Sequence, residues 1–228
     1  MTQVQTDPAQ VEPPNRRERK KAETRARIIE KATELFRQNG YGSTTIEDIT
    51  EASDVAARTF YSYFDAKVDV ALAQFEEWAR HHVEAMESRP AGETPVEMAA
   101  GALEDLAAMG YLTSELLRDE AGDPFPPIGV AVVLSETEPE VAGRVYQVMV
   151  AFQTRMTELF RTRLGYPVGS LEPRIIAASI TATWFVAVYG FADVVAGTSD
   201  PPSTDELGLI GLTAYAEGLS SLWEGRVH

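Results

Sequence analysis

The fold is decided by residues 44–67, which read TTIEDITEASDVAARTFYSYFDAK. Thr45 with Asp48, or Thr44 with Glu47, has the spacing of a capping box, in which side chains and backbone amides bond reciprocally at the start of a helix. The stretch therefore predicts a short helix that begins at the following isoleucine and ends before the next turn.

A tight turn at Asp54-Val55 separates this helix from a second short one, predicted from Ala56 to about Phe64. Before them, residues 16–40 (RRERKKAETRARIIEKATELFRQNG) repeat their apolar side chains at helical spacing and end on a glycine, a usual C-terminal stop. Two short helices joined by a tight turn, after a basic helix, describe a helix-turn-helix. The second helix of this motif enters the major groove of DNA.

The remainder of the chain also follows a helical pattern, with no strand-like alternation and no internal repeat. We predict an all-α protein of about nine helices, with a disordered arm over residues 1–15, a helix-turn-helix domain over 16–67 and a helical bundle over 68–228. An irregular proline-rich loop is expected at 121–130. The helices expected in the bundle cover residues 68–87, 96–108, 111–120, 136–164, 172–195 and 204–223.

The net charge of −15 is unevenly distributed along the chain. Residues 16–27 contain seven basic and two acidic residues, whereas residues 71–228 contain nine basic and 23 acidic ones. For nucleic-acid binding the local charge matters more than the total, because affinity comes mainly from neutralised phosphates. An acidic body would keep DNA at the basic end of the chain.

Several classes of site are disfavoured by residue type. The chain has no cysteine and only three histidines, which excludes disulfides, thiol nucleophiles and cysteine-based zinc sites. His81 and His82 point two ways on a helix and are predicted to lie on a solvated face rather than to bind a metal. Because no glycine-rich phosphate loop and no evident carboxylate pair occur, we expect neither an enzyme, nor a cofactor, nor a metal site.

One segment, residues 175–192, carries no charge and is barely long enough to span a membrane. Because it is alone and contains hydroxyl residues and a glycine, we predict that it is buried in protein. The basic N-terminal stretch is not followed by the apolar segment of a signal peptide. A cytoplasmic protein without membrane contact is therefore expected.

Residues 28–70 resemble the N-terminal domain of the TetR family of transcriptional regulators, without a gap. Two positions depart from the family pattern: Asp54 stands in place of the usual turn glycine, and Ala56 in place of a frequent serine cap. Aspartate tolerates the left-handed backbone better than most residues, so the turn is expected to survive, while a lost serine cap costs about 1 kcal/mol. The positions in register are Ala32, Leu35, Phe36, Gly40, Tyr41, Thr44, Thr45, Ile46, Ile49, Ala52, Val55, Arg58, Thr59, Phe60, Tyr61, Tyr63, Phe64 and Lys67.

These residues predict a set of DNA contacts. Arg58 can bind a guanine or a phosphate through two hydrogen bonds, and hydroxyl side chains can reach phosphates or base edges. The resemblance implies phosphate contacts for Tyr61, Tyr63 and Lys67. The alternatives are that the two tyrosines pack in the core and that the basic run is a solvated helix start. The complete predicted set is Arg16, Arg17, Arg19, Lys20, Thr45, Ala57, Arg58, Thr59, Tyr61, Ser62, Tyr63 and Lys67.

In this family the C-terminal bundle binds a small molecule and forms the dimer, so the resemblance implies a ligand-binding and dimerisation domain over residues 68–228. It also implies a repressor that leaves a palindromic, double-stranded operator when its effector binds. The apolar helix at 174–195 and the small-residue helix at 204–223 are predicted to pair in a homodimer. A largely apolar pocket is predicted to be lined by Tyr111, Phe125, Met149, Phe152, Gln153, Met156, Thr181, Trp184, Phe185 and Tyr189.

The residues alone leave four alternatives open. The pocket residues could be ordinary core, and a monomer could bury both apolar helices internally. The helix-turn-helix could belong to an interaction module that has lost DNA binding, and a DNA-binding regulator could activate transcription rather than repress it.

Overall fold

The computed structural model describes residues 15–108 and 129–195, and these residues form α-helices with no strand among them. The all-α prediction is confirmed. Residues 1–14 of the expected arm, and the helices expected at 111–120 and 204–223, lie outside the described ranges. The helices are α1 (Arg16–Asn39), α2 (Ile46–Ala52), α3 (Ala57–Phe60), α4 (Lys67–Ser88), α5 (Pro95–Ala108), α6 (Gly129–Thr137), α7 (Pro139–Arg163) and α8 (Glu172–Val195).

α1 begins and ends where its sequence predicts. The Asn15 side chain accepts hydrogen bonds from the backbone amides of Arg17 and Glu18, and the Glu18 carboxylate accepts one from the Asn15 amide. Gly40 ends the helix with φ 82°, a left-handed backbone that favours glycine. One face of the helix is apolar and turns inward, with buried residues Ile28, Ile29, Ala32, Thr33 and Phe36.

α2 and α3 are joined by the turn that the sequence indicates. The Thr45 hydroxyl accepts from the Asp48 amide at 3.1 Å and the Asp48 carboxylate accepts from the Thr45 amide at 2.8 Å, so the first of the two possible capping boxes forms. Asp54 adopts φ 50°, the left-handed conformation that the family's glycine supplies. No side chain caps α3 at Ala56, and regular helix ends at Phe60, earlier than predicted, with tighter turns after it.

Aromatic side chains of α1, α3 and the turns that follow them lie in one buried core. Phe60 is fully buried and its ring centroid lies 5.8 Å from that of Phe64. Phe36 of α1 packs against Tyr41 with centroids 5.2 Å apart. Full burial of one phenylalanine stabilises a protein by roughly 1.5–3 kcal/mol. A few large rings therefore contribute much of the buried core around α3.

α4 is the central helix of the bundle and packs against α1, α5, α6 and α7. Two arginines of α7 set its alignment with α4. Arg144, near the start of α7, lies 3.5 Å from Asp69 and 3.3 Å from Glu76 of α4. Arg163, in the last turn of α7, donates to three backbone carbonyl groups at the end of α4. The two helices therefore run side by side in the same direction.

The single helix predicted over residues 136–164 is wrong in its first part. α6 covers Gly129–Thr137, where a loop was expected up to residue 130, and α7 is a separate helix. Glu138 between them is extended and Pro139 is the first residue of α7. A residue before proline avoids the helical conformation because of a clash with the proline ring, whereas proline fits the first helical turn.

α8 contains the uncharged segment at 175–192 and packs against α7 and α6. Its inner face is buried at Ile176, Ala177, Ile180 and Trp184. Over the ranges that the structure describes, no helix is long and apolar enough to cross a membrane.

The prediction that His82 lies on a solvated face is wrong. Its side chain is fully buried, because α4 places it on the same inward face as Trp78, four residues earlier. The rings of Trp78, Phe152 and Trp184 lie 5.0–5.6 Å from the His82 ring, centroid to centroid. Only His81, on the adjacent face, is partly exposed.

Burial of His82 predicts a loss of stability in acid. Burial lowers the pKa of His82 from 6.5 to about 3, against an opposing effect of the Ala99 backbone. Between these pH values the unfolded chain binds a proton that the folded chain does not, so the free energy of unfolding falls as the pH drops below 6.5. His82→Leu is expected to reduce this loss by on the order of 2 kcal/mol at about pH 5, relative to neutral pH, in urea unfolding.

His81→Leu is the matched control, since it removes the neighbouring histidine from the partly exposed face. The same pH dependence in the wild type and in His82→Leu would contradict a buried, uncharged imidazole at this position.

Candidate nucleic-acid interface

Side chains predicted to contact DNA lie together on one surface formed by α3 and the turns that follow it. Phe60 and Phe64 point into the core, so the residues on the opposite side of the segment face solvent. We call this the recognition surface. Its exposed members are Ala57, Arg58, Tyr61 and Ser62, and its half-buried members are Thr59 and Tyr63.

Arg58 and Tyr61 are available to a partner. Within the described ranges no carboxylate pairs with the Arg58 guanidinium, whose planar fork of donors suits a guanine edge or a phosphate. Tyr61 is 54% exposed and touches Phe60 only through its ring. This exposure favours a DNA contact over packing for Tyr61, whereas Tyr63 packs partly against the core.

Two hydroxyls of the predicted set already have local partners. Ser62 Oγ donates to the Thr59 carbonyl at 2.6 Å, and Thr45 Oγ1 donates to the Asp48 carboxylate at 2.7 Å. Each proton must change partner before the hydroxyl can donate to a phosphate oxygen. The bonds from Thr45 also lower the pKa of Asp48, so a negative charge stays at the start of α2.

Lys67 is bonded to the protein itself. Its ammonium donates to the carbonyl oxygens of Tyr41 (2.6 Å) and Thr44 (2.8 Å) and lies 4.0 Å from the centre of the Tyr41 ring. An ammonium has three donors, so one remains for a phosphate. Lys67 thus fastens the turn between α1 and α2 to the start of α4.

The first turns of α1 present a row of cations. Arg16, Arg17, Arg19 and Lys20 are all exposed, and none of them forms an ion pair with the described residues. Because the capping box at Asn15 starts the helix at Arg16, these cations have a helical backbone. Their contact with phosphates stays a prediction.

The predicted ligand-binding residues fall into two described groups. Those that are buried together on α7 and α8 are Met149, Phe152, Met156, Thr181 and Trp184, and those that are half-buried are Gln153 and Phe185. Tyr189 belongs to α8, with its side chain outside the described set, and Tyr111 and Phe125 lie outside the described ranges. Sequence reasoning missed Trp78 and His82 of α4, although their spacing of four residues is a helical signal.

A link between the helix-turn-helix and the bundle was also missed. The Tyr41 hydroxyl lies 3.3 Å from the Glu140 carboxylate at the start of α7. Burial and that carboxylate raise the pKa of Tyr41 far above its ordinary value, so the hydroxyl keeps its proton and donates. Since Arg144 pairs with Asp69 nearby, the start of α7 is joined to both the turn before α2 and the start of α4.

Known transcriptional regulators are similar to this chain in sequence. The family model of the bacterial regulatory proteins, tetR family, matches residues 28–73. The HTH-type transcriptional regulator TcmR of Streptomyces glaucescens is 32% identical over 171 residues, which cover 74% of this chain and 73% of that protein. The fatty acid metabolism regulator protein of Bacillus subtilis (strain 168) is 27% identical over 125 residues, 55% of this chain and 60% of that one.

Solved structures share the fold. Thermus thermophilus FadR, a TetR family transcriptional repressor in complex with lauroyl-CoA, aligns with a TM-score of 0.54 and 21% identity over 86% of this chain and 94% of its own. A TetR-family regulator from Syntrophomonas wolfei aligns with a TM-score of 0.59 and 19% identity over 88% and 96%. These relatives are transcriptional regulators rather than enzymes. The chain belongs to the TetR family of bacterial regulatory proteins and is a DNA-binding transcriptional regulator.

Proposed function

We propose that this regulator is a repressor that binds a palindromic operator as a homodimer and leaves it when a small, largely apolar molecule binds the bundle. The observation that carries the DNA contact is the recognition surface, where Arg58 and Tyr61 are exposed and their polar groups bond to no residue that the structure describes. The basic start of α1 adds cations, whereas the acidic remainder of the chain disfavours non-specific binding along the duplex. We expect this binding to take place in the cytoplasm, without membrane contact.

α8 supports the proposed homodimer. Leu171, just before α8, and Ile175, in its first turn, are 64% and 48% exposed, and the exposed Ala182 continues the same helical spacing. Large apolar residues exposed along one helix face favour burial against a second copy of the chain. A two-fold dimer would present two recognition surfaces to successive major grooves, about 34–36 Å apart.

The proposed effector region lies where α7 and α8 meet α4. The buried side chains of Met149, Phe152, Met156, Thr181 and Trp184 support this place, and we include Gln153, Phe185, Tyr189, Tyr111 and Phe125 in the same proposal. The FadR structure contains lauroyl-CoA, which makes an acyl compound one possible effector here. Any effector releases the operator only if it binds one conformation of the protein more tightly than the other.

α4 and α7 supply the proposed connection between effector and DNA. α4 begins just after the recognition surface and reaches the effector region at Trp78. The start of α7 contacts the helix-turn-helix through Glu140 and Tyr41. A shift of α7 against α4 on ligand binding would therefore turn the recognition surface and change the separation between the two copies in the dimer.

Arg58→Ala is expected to weaken operator binding about tenfold or more, because a bidentate base contact is worth about 1–3 kcal/mol. The melting temperature should stay unchanged, since no described residue pairs with the Arg58 side chain. Lys67→Met is expected to lower the melting temperature as well, because it removes the donor to two carbonyl groups. Fluorescence anisotropy with the DNA flanking the gene, at several salt concentrations, measures affinity and salt dependence.

Arg161→Ala is the matched control, since it removes the same charge far along the chain on α7. If the flanking DNA is not bound, selection from random DNA identifies the operator. Failure to enrich any sequence, or equal affinity of the wild type and Arg58→Ala, would contradict the proposed recognition surface.

Ile175→Glu tests the dimer. The chain has a mass of 25.0 kDa, so sedimentation of the wild type is expected at about twice this value. A buried, unpaired carboxylate at the centre of an apolar interface should dissociate the dimer and weaken operator binding with it. Ile175→Ala, which introduces no charge, should stay dimeric; a monomeric wild type would disprove this arrangement.

A further inference from the structure

Four aromatic rings meet at the centre of the bundle, and three helices contribute them. Trp78 and His82 belong to α4, Phe152 to α7 and Trp184 to α8. The centroids of the Trp78, His82 and Trp184 rings are 5.0–5.5 Å apart in every pair, and Phe152 lies 5.6 Å from both Trp78 and His82. All four residues are buried, and we call them the aromatic cluster.

The aromatic cluster contains polar atoms without partners. The indole N–H groups of Trp78 and Trp184 and both ring nitrogens of His82 are buried, and no residue in the described ranges forms a well-aligned hydrogen bond with any of them, although the Ala99 backbone lies close enough to His82 to oppose the fall in its pKa. A neutral imidazole offers one donor and one acceptor, so the aromatic cluster holds three donors and one acceptor. An unbonded buried polar group costs about 1–3 kcal/mol, and native proteins contain few of them. Their concentration at one point indicates a place where a ligand supplies the missing bonds.

The aromatic cluster selects the chemistry of that ligand. Its walls are flat rings, which stack favourably on a planar aromatic molecule. None of the four side chains carries a charge near neutral pH, because burial keeps the pKa of His82 at about 3. A carboxylate or phosphate would lose its hydration here without meeting a cation. The excess of donors over acceptors favours an uncharged ligand with oxygen acceptors.

Phe152 offers the ligand a route inward. Besides its contacts with Trp78 and His82, this ring forms part of a surface groove between α4 and α7. The groove is also lined by apolar Ala79, Val148 and Ala151 and by polar and charged residues, namely Glu76, Arg80, Arg144, Gln147 and Arg155. A change of the Phe152 rotamer would join the groove to the aromatic cluster, and such a change is confined to one side chain.

We infer that the aromatic cluster is the effector-binding centre, and that the effector is an uncharged, planar aromatic compound that carries a carbonyl or phenolic oxygen. The indole and imidazole N–H groups donate to that oxygen. The four rings, whose centroids lie 5.0–5.6 Å apart, must separate to admit the planar body. The regulatory meaning of this site rests on the proposed function. The inference adds Trp78 and His82 to the binding residues, and it makes a planar aromatic compound, rather than an acyl compound, the expected effector.

Two probes of the same shape test this chemistry. 9-Fluorenone and fluorene share one fused-ring skeleton, but only fluorenone carries a carbonyl oxygen. We expect the full-length protein to bind fluorenone about tenfold more tightly than fluorene, since a hydrogen bond to a buried, otherwise unbonded donor is worth about that factor. Equilibrium dialysis measures both dissociation constants at low probe concentration.

Variants then identify the donors. His82→Leu keeps a similar volume but removes both ring nitrogens, and a Trp78→Phe, Trp184→Phe double variant removes both indole donors. Each is expected to reduce fluorenone binding several-fold and to change fluorene binding about twofold or less. His82→Gln, which keeps a donor and an acceptor, should retain part of the preference. Thermal unfolding checks each fold, and His82→Leu should melt at or above the wild-type temperature because it removes unbonded polar atoms.

Several results would overturn the inference. These are equal wild-type affinity for the two probes, binding of neither probe, or a fluorenone preference that survives both His82→Leu and the tryptophan double variant. Tight binding of lauroyl-CoA that is unchanged by these substitutions would also contradict the inference, and it would indicate an acyl thioester effector instead.

Operator binding, measured on the same samples, separates this inference from the proposed function. Intact operator binding without a fluorenone preference refutes the aromatic effector alone. A fluorenone preference in a protein that binds no operator refutes the proposed repressor and leaves the binding site standing.

Discussion

Burial of α4 is the constraint on which the rest of this structure depends. The helix begins just after the recognition surface, where Lys67 bonds to two carbonyl groups of the turn before α2. Its middle carries the rings of Trp78 and His82 into the bundle centre, and its end is held by Arg163 of α7. One rigid helix therefore takes part in all three contacts, which is what the proposed coupling between the bundle centre and the recognition surface requires.

In the helix-turn-helix, hydrogen bonds within the protein decide which side-chain donors remain available to a partner. Thr45, Ser62 and Lys67 use some or all of their donors on neighbouring protein oxygens, which shapes the motif before DNA arrives. Arg58 and Tyr61 have no such partners in the described ranges. A preformed backbone lowers the conformational entropy that binding must overcome, whereas the Arg58 and Tyr61 side chains still have to be ordered on binding.

In the bundle interior, by contrast, several buried polar groups lack hydrogen-bond partners among the described residues. Elsewhere in the described core, buried hydroxyls such as those of Ser53 and Thr181 donate to carbonyl groups one helical turn away. Indole and imidazole nitrogens are too far from their own backbone to do the same, and in the aromatic cluster they face other rings. A region whose walls are aromatic rings, but whose buried nitrogens lack hydrogen bonds, suits a reversible ligand better than a permanent structural role.

The sequence by itself determined the features that depend on neighbours along the chain. These are a capping box at the start of α2, the glycine stop at Gly40, the left-handed turn at Asp54 and the order of the helices, since each depends on residues close together in the chain. The break between α6 and α7 before Pro139 also depends on neighbouring residues, but the continuous apolar pattern led us to predict one helix there. Only the tertiary structure decided that His82 is buried, that Lys67 bonds to Tyr41, and that Tyr41 reaches Glu140. Those outcomes depend on which helix faces meet, and packing between residues far apart in the chain chooses among faces that look alike in sequence.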